Sequence, residues 1–172
     1  VSSQFKSVQF MKKLIQQSDI LFIEGYLLSD KFCQAMLYDE IIPAAKAANT
    51  SLMLSLSDAG LVSFFHDAFK QLISFGFDTI FCNRSEAEAL SKQTNLDDIA
   101  NFFNQHSKQL VMTDSSNGAY VIESKTVTHY PTTSIDPVDS TGAGDAFAGA
   151  YISQRLSKKP INECIDLAQL TS

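Results

Sequence analysis

Four short apolar runs, separated by longer segments with helical periodicity, limit the folds that this chain can adopt. The runs are residues 19–25, 51–56, 78–83 and 108–113. Each is continuously apolar and rich in Ile, Leu, Phe and Val, which is typical of strands that are covered on both faces. Strands joined through helical crossovers lie parallel. The sequence therefore predicts an α/β fold with a mostly parallel sheet and helices on both of its faces.

The chain after the fourth run has a different pattern. Residues 118–124 and 125–131 have β character and meet near Ser124-Lys125, which predicts a hairpin at the end of the sheet. A helix is predicted from about Gly142 to Leu156, and a last helix begins at Pro160-Ile161. Since residues 5–18 read as a helix with no preceding strand and the last helix has no stop signal, we expect one structural unit that is incomplete.

Composition narrows the class of protein. The formal net charge is -6 and the 13 Lys and Arg residues are scattered, which argues against nucleic acid or an anionic membrane surface as a partner. No apolar run reaches the roughly 18 residues of a membrane-spanning helix, and residues 1–13 lack the apolar core of a signal peptide. We expect a cytoplasmic protein whose three cysteines are reduced and mostly buried.

Polar residues or glycine follow each of the four predicted strands. They are Glu24-Gly25, Ser57-Asp58, residues 83–86 and residues 113–118. In open parallel sheets, ligands bind beyond the carboxyl ends of the strands, so these positions are the first candidates for a site. Exposed loops are polar in any protein, and that explanation accounts for each position taken singly.

Two of the seven glycines lie just before Asp145, in the stretch DPVDSTGAGDAFAGA (residues 136–150). Small residues let a backbone approach a ligand closely, and the first turn of a helix leaves N–H groups free for phosphate oxygens. A carboxylate beside such an anion hole can accept a proton from a substrate hydroxyl. The residues alone leave an equal alternative, in which Asp145 is an ordinary first-turn acid. A Walker P-loop needs a Lys after the glycines and the dinucleotide motif needs a third Gly, so both are excluded.

Several motifs together resemble one family. DSTGAGDAFAGAY is similar to the DTxGAGD signature of the ribokinase-like (PfkB) carbohydrate and nucleoside kinases, CNRSEAEAL to their NxxE element, and VMTDSSNGAYVI to their TxGxxG loop. EGYLLSD and LMLSLSDAGLVSFFHDAFKQLI resemble the adenosine-kinase-like sugar kinase branch of bacteria. The ordered resemblance implies a ribokinase-like, three-layer α/β/α fold. It also implies that residues 1–172 form the C-terminal part of the kinase domain, without the N-terminal half and the lid.

The resemblance assigns the chemical step to the glycine-rich stretch. Asp145 would be the catalytic base that deprotonates the acceptor hydroxyl, and Gly142, Ala143 and Gly144 would form the anion hole. The chain would then transfer a phosphoryl group from ATP to a hydroxyl of a sugar or nucleoside, with Mg²⁺ as cofactor.

The resemblance also implies how ATP and metal ions are bound. Asn83 and Glu86 would act through water on Mg²⁺ and the ATP phosphates, although Glu86 could equally be only a first-turn acid of its helix. Thr113, Ser115 and Gly118 would line the phosphates.

The resemblance also implies a site for a second kind of ion, a monovalent cation, in the glycine-rich stretch. Asp139 and Thr141 occupy positions that bind a monovalent cation such as K⁺ in some members, and Thr141 could otherwise be a helix cap. The chain departs from the family pattern at Ser115, where a Gly is usual, and at Ser140, where a Thr is usual.

Three interpretations of the whole chain stay open at this point. In the first it is part of a sugar or nucleoside kinase, and the isolated 172 residues are inactive because most of the acceptor pocket is missing. In the second it is a non-catalytic nucleotide-binding or structural α/β module. In the third the phosphoryl donor differs or the acceptor is a hydroxymethyl-pyrimidine. The resemblance also allows a homodimer of the full-length parent. The three histidines, His66, His106 and His129, have no partner at a spacing typical of a catalytic triad.

Overall fold

Six strands form one sheet in chain order in the computed structural model, which describes residues 8–132 and 142–172. The first four strands are parallel, and the last two form an antiparallel hairpin at the edge. The strands are β1 (Ile20–Glu24), β2 (Ser51–Ser55), β3 (Phe77–Asn83), β4 (Ser107–Thr113), β5 (Ala119–Glu123) and β6 (Thr126–Tyr130). The predicted α/β fold with a mostly parallel sheet and a terminal hairpin is therefore confirmed.

Apolar residues in register hold the centre of the sheet together. Leu54 of β2 pairs with Ile80 of β3, which pairs with Leu110 of β4, and all three are buried. The hairpin turns at Ser124 and Lys125, which both have positive φ, 51° and 67°. Two consecutive residues with positive φ are typical of the turn whose twist matches that of the flanking strands.

Nine helices of the described residues cover both faces of the sheet, so the fold has the predicted three layers. The first seven pack on one face, and the last two pack on the other. They are α1 (Val8–Ile15), α2 (Lys31–Met36), α3 (Ile42–Ala48), α4 (Ala59–Phe64), α5 (His66–Ile73), α6 (Arg84–Ser91), α7 (Leu96–Phe103), α8 (Ala143–Leu156) and α9 (Ile161–Thr171). None of the helices in residues 8–132 and 142–172 combines the length and apolar character needed to cross a bilayer.

The long helical segments between the strands are each divided, which their periodicity does not predict. A π-helical turn, Leu37–Ile41, separates α2 from α3, and Pro43 lies at the start of α3, where its missing N–H group is tolerated. Phe65, at φ -105° and ψ 31°, lies between α4 and α5. Lys92 ends α6 in a left-handed conformation, and the Asn95 side chain caps α7.

Helix α8 lies across the middle of the sheet and places its first turn near the carboxyl ends of the strands. Phe147 and Tyr151 are buried in one cluster with Phe81 of β3 and Val111 of β4. The Phe81 and Tyr151 rings meet edge to face at 5.5 Å between centroids. This packing fixes the helix that carries Asp145 relative to the two central strands.

Candidate functional site

The predicted strand-end residues meet at one edge of the sheet. Glu24 ends β1, Asn83 ends β3 and Thr113 ends β4. Asn83 and Thr113 are direct neighbours in the parallel pairing of β3 with β4. Ser57 follows β2, and its Oγ donates a hydrogen bond of 3.1 Å to Oε2 of Glu24. The first candidates from the sequence therefore form one contiguous edge.

Glu24 links this edge to α8. Burial raises the pKa of Glu24, the hydrogen bond from Ser57 lowers it, and the nearby charge of Asp145 raises it. A negative charge raises the pKa of a carboxyl in this way only when it lies near that carboxyl. Glu24 is half-buried and Asp145 is exposed, so the pair faces the open side of the edge.

Asn83 and Glu86 form a reciprocal capping box at the start of α6. The Asn83 side chain accepts from the backbone N–H of Glu86 at 2.9 Å, and Oε2 of Glu86 accepts from the backbone N–H of Asn83 at 3.0 Å. Nδ2 of Asn83 donates to Oε1 of Glu86 at 2.7 Å. Glu86 therefore caps the start of α6, which is the structural role that the sequence left open. Any contact of its carboxylate with a ligand would come in addition to this role.

Glu86 is only 5% exposed. Burial raises its pKa to about 7, while the hydrogen bond from Asn83 lowers it and the charge of Asp58 raises it. A buried carboxyl that titrates near neutral pH is the kind of group that occurs at functional sites and in structural networks alike.

The Thr113–Gly118 loop turns tightly between β4 and β5. Ser115 adopts φ 46°, and Gly118 adopts φ 90° and ψ -135°. The N–H of Asp114 donates to the Gly118 carbonyl at 2.8 Å, and the N–H of Asn117 donates to the Asp114 carbonyl at 2.9 Å. Ser115, which replaces the usual Gly, is accommodated in the left-handed region.

The first turn of α8 carries Asp145 in the position that the sequence predicts. Gly142 precedes the helix at φ 78°, and the first helical hydrogen bond runs from the N–H of Ala146 to the Gly142 carbonyl at 2.9 Å. The N–H groups of Ala143, Gly144 and Asp145 precede that bond and have no partner within the helix. Among the described residues, no atom lies within 4 Å of a Cβ placed on Gly142 or Gly144. As far as residues 8–132 and 142–172 show, the start of the helix therefore offers backbone donors beside the Asp145 carboxylate.

The predicted monovalent-cation residues, Asp139 and Thr141, lie outside the described residues. Within residues 8–132 and 142–172, no group of three or more His, Cys, Asp or Glu side chains is arranged to bind a metal ion. The three cysteines are buried and unpaired, as predicted. A groove of about 980 Å³ lies at the opposite, amino ends of the parallel strands and contains Asp78 and Lys108. We place the candidate site at the carboxyl edge, because the chemistry-bearing residues converge there.

Sequence reasoning included Arg84 and Asp114 only within the candidate ranges 83–86 and 113–118 and missed the contact between them. Nη1 of Arg84 lies 3.4 Å from Oδ2 of Asp114, and this ion pair joins the segments that follow β3 and β4. The spacing of Arg84 and Glu88, which pair across one helical turn at 3.0 Å, was a visible signal. No sequence pattern predicted the pairing of Arg84 with Asp114, which lies 30 residues away.

The comparisons with known proteins agree with this architecture. Adenosine kinase 2 of Arabidopsis thaliana is 27% identical over 167 residues, which are 88% of this chain and 47% of that protein. The structure of adenosine kinase from Sinorhizobium meliloti superposes with a TM-score of 0.85 at 26% identity, over 93% of this chain and 49% of that one. A ribokinase II from E. coli, solved with ATP and Mg²⁺, shares the fold with a TM-score of 0.81 at 19% identity, over 92% of this chain and 52% of that one.

The matches cover most of this chain but only part of each relative. The chain spans about half the length of the curated relatives that it matches. The model of the pfkB family of carbohydrate kinases matches residues 2–172, which is nearly the whole chain. The chain therefore belongs to the pfkB family of carbohydrate kinases.

Proposed function

We propose that residues 1–172 form the C-terminal part of an ATP-dependent kinase domain that phosphorylates a hydroxyl of a sugar or nucleoside. The observation that carries the proposal is the placement of Asp145. Its carboxylate stands in the first turn of α8, exposed, and close enough to Glu24 to raise the pKa of that residue. This placement near the end of β1, at the sheet edge that also holds Asn83 and Thr113, supports a role for Asp145 as the base.

The chemical step uses groups of this chain. Asp145 accepts the proton of the acceptor hydroxyl while the hydroxyl oxygen bonds to the γ-phosphorus and the bond to the ADP leaving oxygen breaks. The N–H groups of Ala143 and Gly144 stabilise the negative charge of the transferring group, helped by the positive end of the α8 dipole. No described residue lies within 4 Å of a Cβ placed on Gly142 or Gly144, which supports access of the phosphoryl oxygens to these donors.

Asn83 and Glu86 are the residues that we assign to Mg²⁺, through water. Oxygen donors suit this ion, which usually keeps several waters in protein sites. Both Glu86 oxygens already accept hydrogen bonds from Asn83, which favours contact through water over direct coordination. When bound, Mg²⁺ would neutralise charge on the ATP phosphates. The Thr113–Gly118 loop would line those phosphates, and a K⁺ site at Asp139 and Thr141 belongs to the same proposal.

The experiment replaces Asp145 by Asn in the longest natural polypeptide that contains residues 1–172. Turnover is measured against a panel of sugars and nucleosides, and affinity is measured for a non-hydrolysable ATP analogue with Mg²⁺. We expect kcat to fall by roughly 10²–10⁴-fold, the usual contribution of a general base, with the analogue bound as before.

Asp97→Asn is the matched control, because Asp97 is also an exposed acid in the first turn of a helix, α7, and the resemblance assigns it no role. Equal turnover in Asp145→Asn and Asp97→Asn would favour the non-catalytic module instead. The isolated 172 residues should show no steady-state turnover, because one substrate lacks most of its pocket. Turnover by the isolated chain would contradict that part of the proposal.

A further inference from the structure

The guanidinium of Arg84 donates to three different partners. Nε donates to Oε1 of Glu88 at 3.0 Å, Nη2 to the carbonyl of Thr94 at 2.9 Å, and Nη1 to Oδ2 of Asp114 at 3.4 Å. Arg84 directly follows Asn83, and Asp114 directly follows Thr113. The residue therefore connects the segment after β3 to the segment after β4.

On the other side of the contact with Arg84, Asp114 holds the Thr113–Gly118 loop in place. Its side chain is 14% exposed, and Oδ2 also accepts a hydrogen bond of 3.1 Å from Nδ2 of Asn117. The backbone of the same residue makes two of the three backbone hydrogen bonds within the Thr113–Gly118 loop. A shift of the Asp114 carboxylate would therefore move the loop as a whole.

We propose that Arg84 is a positioning residue that fixes the Thr113–Gly118 loop against the Asn83–Glu86 capping box and so sets the affinity for ATP with Mg²⁺. This inference rests on the proposed function, in which both elements bind the ATP phosphates and Mg²⁺. Three of the five guanidinium N–H groups already donate to protein oxygens, so we assign Arg84 a role that acts through the loop. The Asp114→Asn variant described below distinguishes this role from a direct phosphate contact.

The geometry requires an arginine. Its planar fork presents donors in three directions at once, whereas a lysine is a single charged point on a flexible stem. A lysine at position 84 could keep one of the contacts with Glu88, Thr94 and Asp114, but not all three. The charge alone should therefore fail to hold the loop.

The test measures binding of a non-hydrolysable ATP analogue with Mg²⁺ by calorimetric titration, in the longest natural polypeptide that contains residues 1–172. Arg84→Met and Asp114→Asn should each weaken binding about tenfold, the lower end of what outer-shell partners contribute. The double variant should bind no more weakly than either single variant, because both substitutions remove the same contact. Arg84→Lys should resemble Arg84→Met.

Lys108→Met is the matched control. It removes an ion pair of 2.7 Å between Lys108 and Asp78, which joins the same two strands, β3 and β4, at their opposite ends. Its affinity for the analogue should equal that of the wild type. Amide hydrogen exchange of residues 115–118 should accelerate in Arg84→Met and Asp114→Asn and stay unchanged in Lys108→Met.

Three outcomes would overturn the inference. Wild-type affinity in Arg84→Met would show that the contact is irrelevant to the nucleotide. Weaker binding in Arg84→Met with retained or tighter binding in Asp114→Asn would show a direct phosphate contact, because Asp114→Asn frees the guanidinium. Unchanged exchange of residues 115–118 in both variants would show that Arg84 does not hold the loop.

Failure of the wild-type chain to bind the analogue would count against the proposed function instead. The exchange measurement then decides the positioning role by itself. Faster exchange in Arg84→Met and Asp114→Asn, but not in Lys108→Met, supports that role even in a chain that binds no nucleotide.

Discussion

The hydroxyl of Tyr151 donates a hydrogen bond of 2.7 Å to Oε1 of Gln109, and this contact ties α8 to β4 beneath the candidate site. Tyr151 is 1% exposed and Gln109 is 5% exposed. Burial raises the pKa of Tyr151, so the phenol stays protonated as the donor. Because Asp145 lies on the same helix, this bond helps to fix the position of Asp145, the proposed base, over the sheet.

Replacing Tyr151 by Phe should lower the free energy of unfolding by about 1–2 kcal/mol, because the buried Gln109 oxygen loses its partner. Adding Gln109→Met should restore part of the loss, since the unpaired polar group is then removed as well. Urea unfolding followed by circular dichroism measures both effects. Tyr26→Phe is the control, because Tyr26 is exposed. Equal unfolding midpoints for Tyr151→Phe and Tyr26→Phe would contradict the argument.

Gly118 should tolerate no side chain. A Cβ there would lie 2.2 Å from the carbonyl oxygen of Tyr130 and 2.9 Å from the amide nitrogen of Thr132, and φ is 90°. Gly118→Ala should therefore lower the free energy of unfolding by roughly 2–4 kcal/mol, from steric overlap and backbone strain together. Thermal unfolding of the purified variant measures the loss.

Gly76→Ala separates the two causes. Gly76 also has a positive φ, 76°, but among the described residues no atom lies within 4 Å of an added Cβ. Only the left-handed strain applies, so the expected loss is about 1–2 kcal/mol. A loss in Gly118→Ala no larger than that in Gly76→Ala would show that the loop moves away from Tyr130 without cost.

The sheet could be predicted from the sequence because its strands are short, apolar and separated by helical segments. Strands β3 and β4 begin one residue before the predicted runs and end with them. The helix breaks could not be predicted in the same way. Phe65 and Lys92 are neither Gly nor Pro, yet Phe65 leaves the helical region and Lys92 adopts a left-handed conformation, so each interrupts a helix.

The site was predictable in its location but not in its contacts. The rule for parallel sheets gave the edge where Asn83 and Thr113 now lie side by side. The hydrogen bond from Ser57 to Glu24 spans 33 residues, and that from Arg84 to Asp114 spans 30. Such pairings depend on how neighbouring loops meet in space, and a single sequence contains no pattern for them.

Glu86 should make stability depend on pH. Its pKa is raised from 4.5 to about 7 in the folded chain, so between these values the folded state holds a proton that the unfolded state has lost. Stability therefore falls as pH rises through this window, by about 3 kcal/mol from this group. Glu86→Gln should flatten the dependence, as measured by urea unfolding at a series of pH values.

Asp58→Asn provides the second test of this assignment. The charge of Asp58 raises the pKa of Glu86, so removing that charge should lower the pKa of folded Glu86. The pH range over which stability falls should then end at a lower pH. The Asn side chain can still accept from the N–H of Leu61, as Asp58 does at 2.7 Å, so the start of α4 keeps its cap. An equally steep dependence in Glu86→Gln would assign the proton to another group.

The carboxyl of Glu24 should respond in opposite directions to its two neighbours. Ser57→Ala removes a hydrogen bond that lowers the pKa of Glu24, so the pKa should rise. Asp145→Asn removes a negative charge that raises it, so the pKa should fall. Carbon-detected NMR titration of the Glu24 carboxyl measures both shifts, with Asp97→Asn as the control for another first-turn acid. An unchanged titration in Asp145→Asn would place the two carboxylates too far apart to share one site, and the proposed position of the base would then be wrong.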